Sequence, residues 1–489
     1  MNNEMTGEIR RQFDRVLAAG CSWADIRIYI EDATESLYLD DGNLEGNSAS
    51  LSSGMGVRVL YRGAWGFAAT AKMENMAECF NRALNNARAA AELPGFPKDS
   101  GDVVKVAGKY ESPVVTDPFT VKLKEKTDFM RAIDAKLQNE HIEHRTVSLY
   151  FQKRIVHYFN TDGTEYQRKI INNFADMSVM AADDEGRTQQ RSCELAGNGK
   201  GTRGFEWLAD SNFAGNADRI NAELAELLTA PKLPAGKRSV ILLPGQGFLQ
   251  VHETIGHALE LDRILGYELS FAGGSHVKPD MIGKLSFGSE KLNAYAGFTS
   301  NSPGTFGLDD DGIPQSEYPL IKNGLLVNVL SCRGDIKEAN HVAGRDVMKS
   351  SGGASRSCAF YRPPIDRMTN INVAPGNDGT LDDIIAATED GIIMDVPVSW
   401  SIGSNREHFH FGCEIAWEVK NGVKGKVFKN STYHGHSLPF WHNLDKVGDI
   451  TTWKLQQVAN CGKGEPNQIM EVGHGIPVMR FADVDTGEE

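Results

Sequence analysis

The stretch "VHETIGHALELD", residues 251–262, places two histidines and a glutamate in an unusual register. His252 and His257 are five positions apart, so a regular helix would rotate them by about 140° and separate them by roughly 7.5 Å along its axis. A regular α-helix therefore cannot direct both imidazoles to one ion. Either the two rings lie on opposite sides of a buried amphipathic helix with no shared role, or the helix is distorted. We predict a π-bulge or a break at residues 255–257, because Gly256 eases either one.

Such a distortion would create a candidate zinc site. Catalytic zinc takes about three protein ligands, leaves a position open for water, and needs a carboxylate nearby to accept that water's proton. His252 and His257 offer imidazoles, and Glu253 offers the carboxylate. Glu260 could be a further ligand, could orient an imidazole N–H, or could belong to a solvated helix end. Spacing leaves the third ligand open among seven candidates: His408, His410, Cys413, His434, His436, Cys461 and His474.

Two of the segments that carry these candidates have readable patterns. The segment "EHFHFGCE" predicts a strand with His408 and His410 on one face and the phenylalanines on the other, and a solvated or hydrogen-bonded face explains these histidines without a metal. The segment "ANCGKGEP" predicts a polar turn around Cys461, where the following glycine would let the backbone approach an ion. Gly199-x-Gly201-x-x-Gly204 has no strand before it or helix after it, so we expect a loop there.

Composition narrows the class of protein. The 489 residues are 40% hydrophobic and 24% charged, which is typical of a soluble multidomain chain. The seven cysteines form no close pairs, which favours reduced thiols. We expect a cytoplasmic protein with no membrane role, because the chain shows no secretory leader and no apolar run near ~18 residues. The net charge of −14 and the lack of a basic stripe disfavour nucleic acid as a partner.

Periodicity predicts the α+β class and three domains. Helical spacing alternates with strand-like runs and hairpin signals in the first two domains, and an apolar strand runs straight into the histidine-bearing helix of the third, which otherwise reads as β-rich. A Pro/Gly-rich stretch separates the first two domains. The predicted divisions are an N-terminal α+β domain (1–95), a linker (96–118), a central α+β domain (119–236) and a β-rich C-terminal domain (237–489).

The stretch "HETIGHALELD" resembles the H-E-x-x-x-H-x-x-E-x-D signature of the TldD/PmbA family, zinc metallopeptidases also called modulators of DNA gyrase. Four further segments agree in order: "GMGVRVLYRGAWGFA", "LDDDGIPQSEYPLIKNGLL", "RMTNINVAPG" and "NCGKGEP". One departure is Leu261, where the family pattern has glycine. The resemblance implies that a metallopeptidase domain follows two others, that His252, His257 and Cys461 bind Zn²⁺, and that Glu253 is the catalytic base.

The resemblance also implies a dimer, formed with a second copy or with a paralogue that lacks the zinc motif, and places this chain on the active, TldD-like side. We therefore expect a zinc-dependent peptidase that hydrolyses small or unfolded peptides with water activated by Glu253. An extended peptide would bind along a strand edge, with Arg367 and Asn370 as candidate substrate contacts, although a structural role suits that segment equally. The alternative is a non-catalytic adaptor subunit. A nucleic-acid-associated gyrase modulator is a third hypothesis, which the acidic charge disfavours.

Overall fold

The computed structural model describes residues 3–299 and 301–487. Residues 1 and 2 of the first predicted domain, and residues 300, 488 and 489 of the last, lie outside the described residues. Helices and strands are mixed throughout, so the chain is α+β, as the sequence predicted. Among the helices of the described part, none is long and apolar enough to span a bilayer.

The first half of the chain alternates helices with long antiparallel strands. Its helices are α1 (Asn3–Ala18), α2 (Met76–Ala90), α3 (Leu123–Leu137), α4 (Trp207–Asp210) and α5 (Ala217–Thr229). Its strands are β1 (Cys21–Asp40), β2 (Asn43–Tyr61), β3 (Ala64–Thr70), β4 (Ala107–Glu111), β5 (His144–Asn160), β6 (Glu165–Ala182) and β7 (Thr188–Glu194). Arg62 and Gly63 connect β2 to β3 with φ values of 49° and 79°, the left-handed pair that a two-residue hairpin favours.

These strands form one twisted sheet in the order β3-β2-β1-β5-β6-β4, with β7 beside β6. Because β1 pairs with β5 along most of its length, the hairpins of the first and central predicted domains are continuous. The predicted linker 96–118 contributes β4, which pairs parallel with β6. Helices α1 and α2 cover the β1–β3 region, where Phe13 and Phe80 pack with buried residues such as Ile26 and Val57. The domain boundaries themselves remain predictions.

The second half is composed mostly of short strands. Its helices are α6 (Pro244–Val251), α7 (Leu261–Ile264), α8 (Ile336–Ala343), α9 (Leu381–Ala386) and α10 (Ser437–His442). Its strands are β8 (Gly236–Leu242), β9 (Ala294–Ala296), β10 (Tyr318–Lys322), β11 (Leu325–Leu326), β12 (Ser355–Arg356), β13 (Ile365–Asp366), β14 (Ile371–Val373), β15 (Asp390–Ile402), β16 (His408–Lys420), β17 (Val423–Phe428), β18 (Ser431–His436), β19 (Leu444–Val447), β20 (Lys454–Lys463), β21 (Gln468–Ile476) and β22 (Met479–Thr486).

Five of these strands close into a ring. β8 pairs with β15 and β22, β18 pairs with β22 and β16, and the β15–β16 pairing completes the circuit. The interior is filled by aromatic and aliphatic residues, including Phe411, Tyr433 and Phe481. β8 leads within two residues into α6, which packs closely on the β20–β21 hairpin: a Cβ added at Gly247 would lie 2.9 Å from Ile476. The fold thus brings α6, which precedes the two histidines, against the hairpin that carries Cys461.

Candidate metal centre

The distortion predicted between the two histidines is present. α6 is followed by a π-helical turn, His252–Gly256, and then by a 3₁₀ turn, His257–Leu259. The His257 backbone N–H donates to the His252 carbonyl, which is the i+5 to i bond of a π-helix. The wider turn returns both imidazoles to one face, with ring centroids 4.8 Å apart. Gly256 is required here for space, since a Cβ would lie 2.1 Å from the sulfur of Met368.

Cys461 joins the two histidines. One donor atom from each of His252, His257 and Cys461 lies within 4.8 Å of the other two, and all three residues are buried. The Cys461 Sγ is 3.5 Å from His257 Nε2. Burial raises the pKa of the Cys461 thiol, but the charges of Arg367 and His257 outweigh burial and hold that pKa below its usual range. The donor set is therefore two imidazoles and a thiol whose pKa is lowered by its surroundings.

The predicted polar turn around Cys461 is wrong. Cys461 lies in β20 and pairs with Met470 of β21, so strand pairing fixes its position more firmly than a turn would. β20 has a register irregularity between Val458 and Cys461, and the hairpin bends at residues 464–467. Glycine and polar residues suit both features, which is why they are frequent around Cys461. An irregular strand of this composition resembles a turn in the sequence.

A chain of hydrogen bonds fixes the tautomer of His252. The carbonyl oxygen of Ile371 can only accept, so His474 Nδ1, 3.0 Å away, carries a proton. Burial, followed by the charge of His252, holds the pKa of His474 well below its usual range and keeps that ring neutral. His474 Nε2 then accepts from His252 Nδ1 at 2.8 Å. The lone pair of His252 is thereby left on Nε2, the nitrogen available to a metal.

Glu260 performs the same task for the second histidine. Its carboxylate lies 2.9 Å from His257 Nδ1, which directs the lone pair of His257 to Nε2, the atom beside Cys461. Burial raises the pKa of Glu260, but Lys463 and His257 outweigh burial and hold it well below its usual range. Glu260 is 0% exposed. Of the three roles open from the sequence, the structure supports orientation of the imidazole and excludes a solvated helix end.

Glu253, next to His252 in the π-helical turn, adds a buried carboxylate. Its Oε2 is 3.0 Å from Nη1 of Arg406, which projects from the tight turn between β15 and β16. Burial raises the pKa of Glu253, but the two motif histidines and Arg406 outweigh burial and keep that pKa below its usual range. Glu253 is therefore ionised and able to accept a proton.

Arg367 and Asn370 are both fully buried. Arg367 donates through Nη2 to the Cys461 carbonyl at 2.6 Å and so supports the strand that carries the thiol. The Asn370 amide donates to the Gly297 carbonyl at 2.8 Å and to the Thr305 hydroxyl at 2.7 Å, and accepts from backbone and side-chain donors on the same loop. Their assignment to substrate binding remains a prediction.

Of the other candidates for a third ligand, His474 lies beside His252 and the remaining five lie elsewhere. His408, His410, His434 and His436 are exposed on β16 and β18. Cys413 is buried in the ring of strands, where its thiol donates to the carbonyls of Ile415 and Ser431. Arg406 and Lys463 were not among the predicted site residues, because each is more than a hundred residues from the motif and meets it only in the folded chain.

Comparison with known proteins places most of the chain in one family. Family models described as PmbA/TldA metallopeptidase domain 1, central domain and C-terminal domain match residues 24–87, 116–229 and 235–488. A metalloprotease of Methanocaldococcus jannaschii is 27% identical over 475 residues, covering 96% of this chain and 98% of the relative. A protein of Saccharolobus solfataricus named zinc metalloprotease TldD homolog is 23% identical, covering 96% and 97%.

Solved structures share the fold over the whole chain. A putative modulator of DNA gyrase from Thermotoga maritima superposes with a TM-score of 0.74 at 17% identity, covering 99% of each chain. TldE from Thermococcus kodakarensis superposes with a TM-score of 0.69 at 13% identity, covering 98% of this chain and 100% of the other. The three family models together cover most of the sequence in domain order. The chain therefore belongs to the PmbA/TldD metallopeptidase family.

Proposed function

We propose that this protein is a zinc-dependent peptidase acting on small or unfolded peptides. The observation that carries the proposal is the convergence of His252, His257 and Cys461, with both imidazole lone pairs directed by hydrogen bonds toward one point. Two nitrogens and one sulfur suit zinc better than the hard cations, which prefer oxygen. Three protein ligands are also the number found at catalytic rather than structural zinc sites.

When bound, the ion would supply Lewis-acid polarisation of a peptide carbonyl and lower the pKa of a water toward about 7. The protein residues do the rest. Glu253 would accept the water proton on a carboxylate oxygen and deliver it to the amine that leaves. Arg406 holds that carboxylate in place and ionised before the reaction. Glu260 and His474 hold the ligand rings in their binding tautomers.

The substrate would bind as an added strand beside Cys461. β20 pairs with β21 along one edge. Along its other edge, the described residues (3–299 and 301–487) form one bridge, between Leu455 and Gly197. The edge from Val458 to Asn460 is partly exposed and leads directly to Cys461. A peptide on this edge would be held by main-chain hydrogen bonds, which tolerate many sequences. The burial of Arg367 and Asn370 favours a supporting role for both behind this edge.

We also infer that the active form is a dimer, with a second copy or with a paralogue that lacks the zinc motif. The structural likeness to a protein named TldE supports a paralogous partner of the same fold. Native mass spectrometry of the purified chain, alone and with a candidate paralogue, tests this inference, and a monomer in both samples would contradict it.

Replacement of Glu253 tests the proposed reaction. Glu253→Gln keeps the size of the side chain but cannot accept the proton, so peptide cleavage should fall by about 10²–10⁴-fold while zinc content stays unchanged. Glu290→Gln, at an exposed position, is the matched control and should retain full activity. Wild-type protein that contains zinc but cleaves no peptide would favour the adaptor alternative, and a Glu253→Gln variant as active as wild type would contradict the proposed role of Glu253.

A further inference from the structure

Two carboxylates oppose each other on the sheet of the first half. In the antiparallel register of β6 and β7, Asp176 is directly opposite Glu194. Directly opposed side chains project from the same face with Cβ atoms about 4.5–5.5 Å apart, and like charges in such a pair destabilise a sheet. Among residues 3–299 and 301–487, no lysine, arginine or histidine forms an ion pair with either carboxylate, and no group donates a hydrogen bond to them. The pair is thus an unfavourable contact that the described part of the chain does not offset.

A small cavity beside this pair reaches the proposed substrate-binding edge of β20. The cavity has a volume of about 170 Å³, and its lining includes Asp176 and Glu194 from the sheet and Gln457 and Ala459 from β20. The two β20 residues precede Cys461 by four and two positions. Since a strand rises about 3.3 Å per residue, the cavity lies roughly 7–13 Å along the strand from the thiol. A side chain of a peptide bound on this edge would therefore be able to enter it.

A further polar group of the cavity also lacks a partner. Gln457 is 5% exposed, and its amide nitrogen donates to the Leu195 carbonyl at 2.8 Å. That bond fixes the orientation of the amide, and the amide oxygen has no hydrogen-bond donor among the residues that the structure describes. A buried acceptor without a donor is costly. Burial, and then the charge of Glu414, also raises the pKa of Asp176 to about 7, and a bound cation would lower that pKa again.

We propose that Asp176, Glu194 and Gln457 form a specificity subsite for a cationic group of the peptide, either a lysine or arginine side chain or the α-amino group. The inference rests on the proposed function, because the peptide is the strand added along β20. Three acceptors complement an ammonium or guanidinium group in both charge and hydrogen bonding. Within the described residues, neither carboxylate belongs to a cluster of three donors close enough to share a metal ion, which favours an organic cation. The substrates are thereby narrowed to peptides with a positive charge about two to four residues from the cleaved bond.

Peptide binding to the zinc-loaded Glu253→Gln protein tests the subsite without turnover. The probes are alanine-rich peptides with capped ends and a fluorescent label, each with one lysine or one norleucine at each position in turn, and a lysine-free peptide with a free amino terminus. Fluorescence anisotropy should show that a lysine peptide or the free-terminus peptide binds about 10-fold or more tightly than its neutral counterpart. The probe that gains affinity identifies whether the side chain or the α-amino group is bound.

Neutral replacements of the two carboxylates should remove this preference. In the Glu253→Gln background, Asp176→Asn/Glu194→Gln should bind charged and neutral peptides equally, with unchanged affinity for the neutral ones. Asp218→Asn/Glu290→Gln removes two exposed carboxylates and so controls for net charge, and it should keep the preference. Because neither Asp176 nor Glu194 loses a partner, the first double variant should melt no lower than its parent, which verifies that it folds.

Four results would overturn the subsite: equal affinity for charged and neutral probes, no peptide binding, a preference that survives in Asp176→Asn/Glu194→Gln, or one that disappears in the net-charge control. Failure of the proposed function gives a different result. Zinc-loaded wild-type protein that cleaves no peptide would contradict the peptidase, while a preference for cationic peptides that depends on Asp176 and Glu194 would still be measurable in the Glu253→Gln protein.

Discussion

The buried pair of His252 and His474 gives the sharpest prediction about metal affinity. His474→Phe retains a ring of similar shape but removes the acceptor for His252 Nδ1–H, 2.8 Å away, and the donor to the Ile371 carbonyl, 3.0 Å away. Without that acceptor, His252 is no longer held in the tautomer that presents Nε2. Loss of such a supporting contact costs about 10–100-fold in metal affinity, or roughly 1.4–2.8 kcal/mol.

The assay is competition for Zn²⁺ between the metal-free protein and a chelator of known affinity. His474→Phe should bind zinc about 10–100-fold more weakly than wild type. His474→Gln, whose amide oxygen can accept from His252, should recover part of the loss. His442→Phe, at an exposed position, controls for removal of a histidine and should bind as wild type does. A His474→Phe protein that remains folded and binds zinc as tightly as wild type would refute the tautomer argument.

Two further predictions concern the packing at the π-helical turn and a buried ion pair between the two halves of the chain. Gly256→Ala should weaken zinc binding and lower the melting temperature, because the added Cβ would displace Met368 and disturb the π-helical turn; unchanged values for both would contradict this. Asp310→Asn should destabilise the fold at pH 7 by about 3–5 kcal/mol, because it leaves the buried guanidinium groups of Arg27 and Arg168 short of a partner. Burial raises the pKa of Asp310, but Arg168 and Arg27 outweigh burial and hold it below its ordinary value. The stabilisation is therefore present above about pH 4 and lost as pH falls further, so unfolding measured between pH 3 and 7 should depend less on pH in the variant.

Local geometry explains what could be predicted from the sequence. The five-residue spacing of His252 and His257 is incompatible with 3.6 residues per turn, so a distortion followed from the helix period alone. Alternation in β16 correctly placed Phe409 and Phe411 inside and the intervening histidines outside. Each of these predictions depends on residues within a few positions of one another.

The remaining features of the site depend on which strands pair, and hydrophobic periodicity does not specify strand pairing. Spacing alone could not choose Cys461 over His474 as the third donor, because both lie on the same hairpin and only their position relative to α6 separates them. Arg406 contacts Glu253 because the turn between β15 and β16 lies against the motif. Likewise, β4 was predicted to be part of the linker. Its five residues have mostly exposed side chains with no apolar alternation, and they form a strand by pairing with β6.

Crystals of the zinc-loaded protein, with diffraction recorded on both sides of the zinc absorption edge, test the central claim most directly. The account predicts an anomalous peak at about 2.0–2.1 Å from Nε2 of His252 and of His257 and about 2.3 Å from the Cys461 Sγ, with Glu253 beside it and unbound. A loaded protein in which these three donor atoms point apart, with no peak between them, would contradict it.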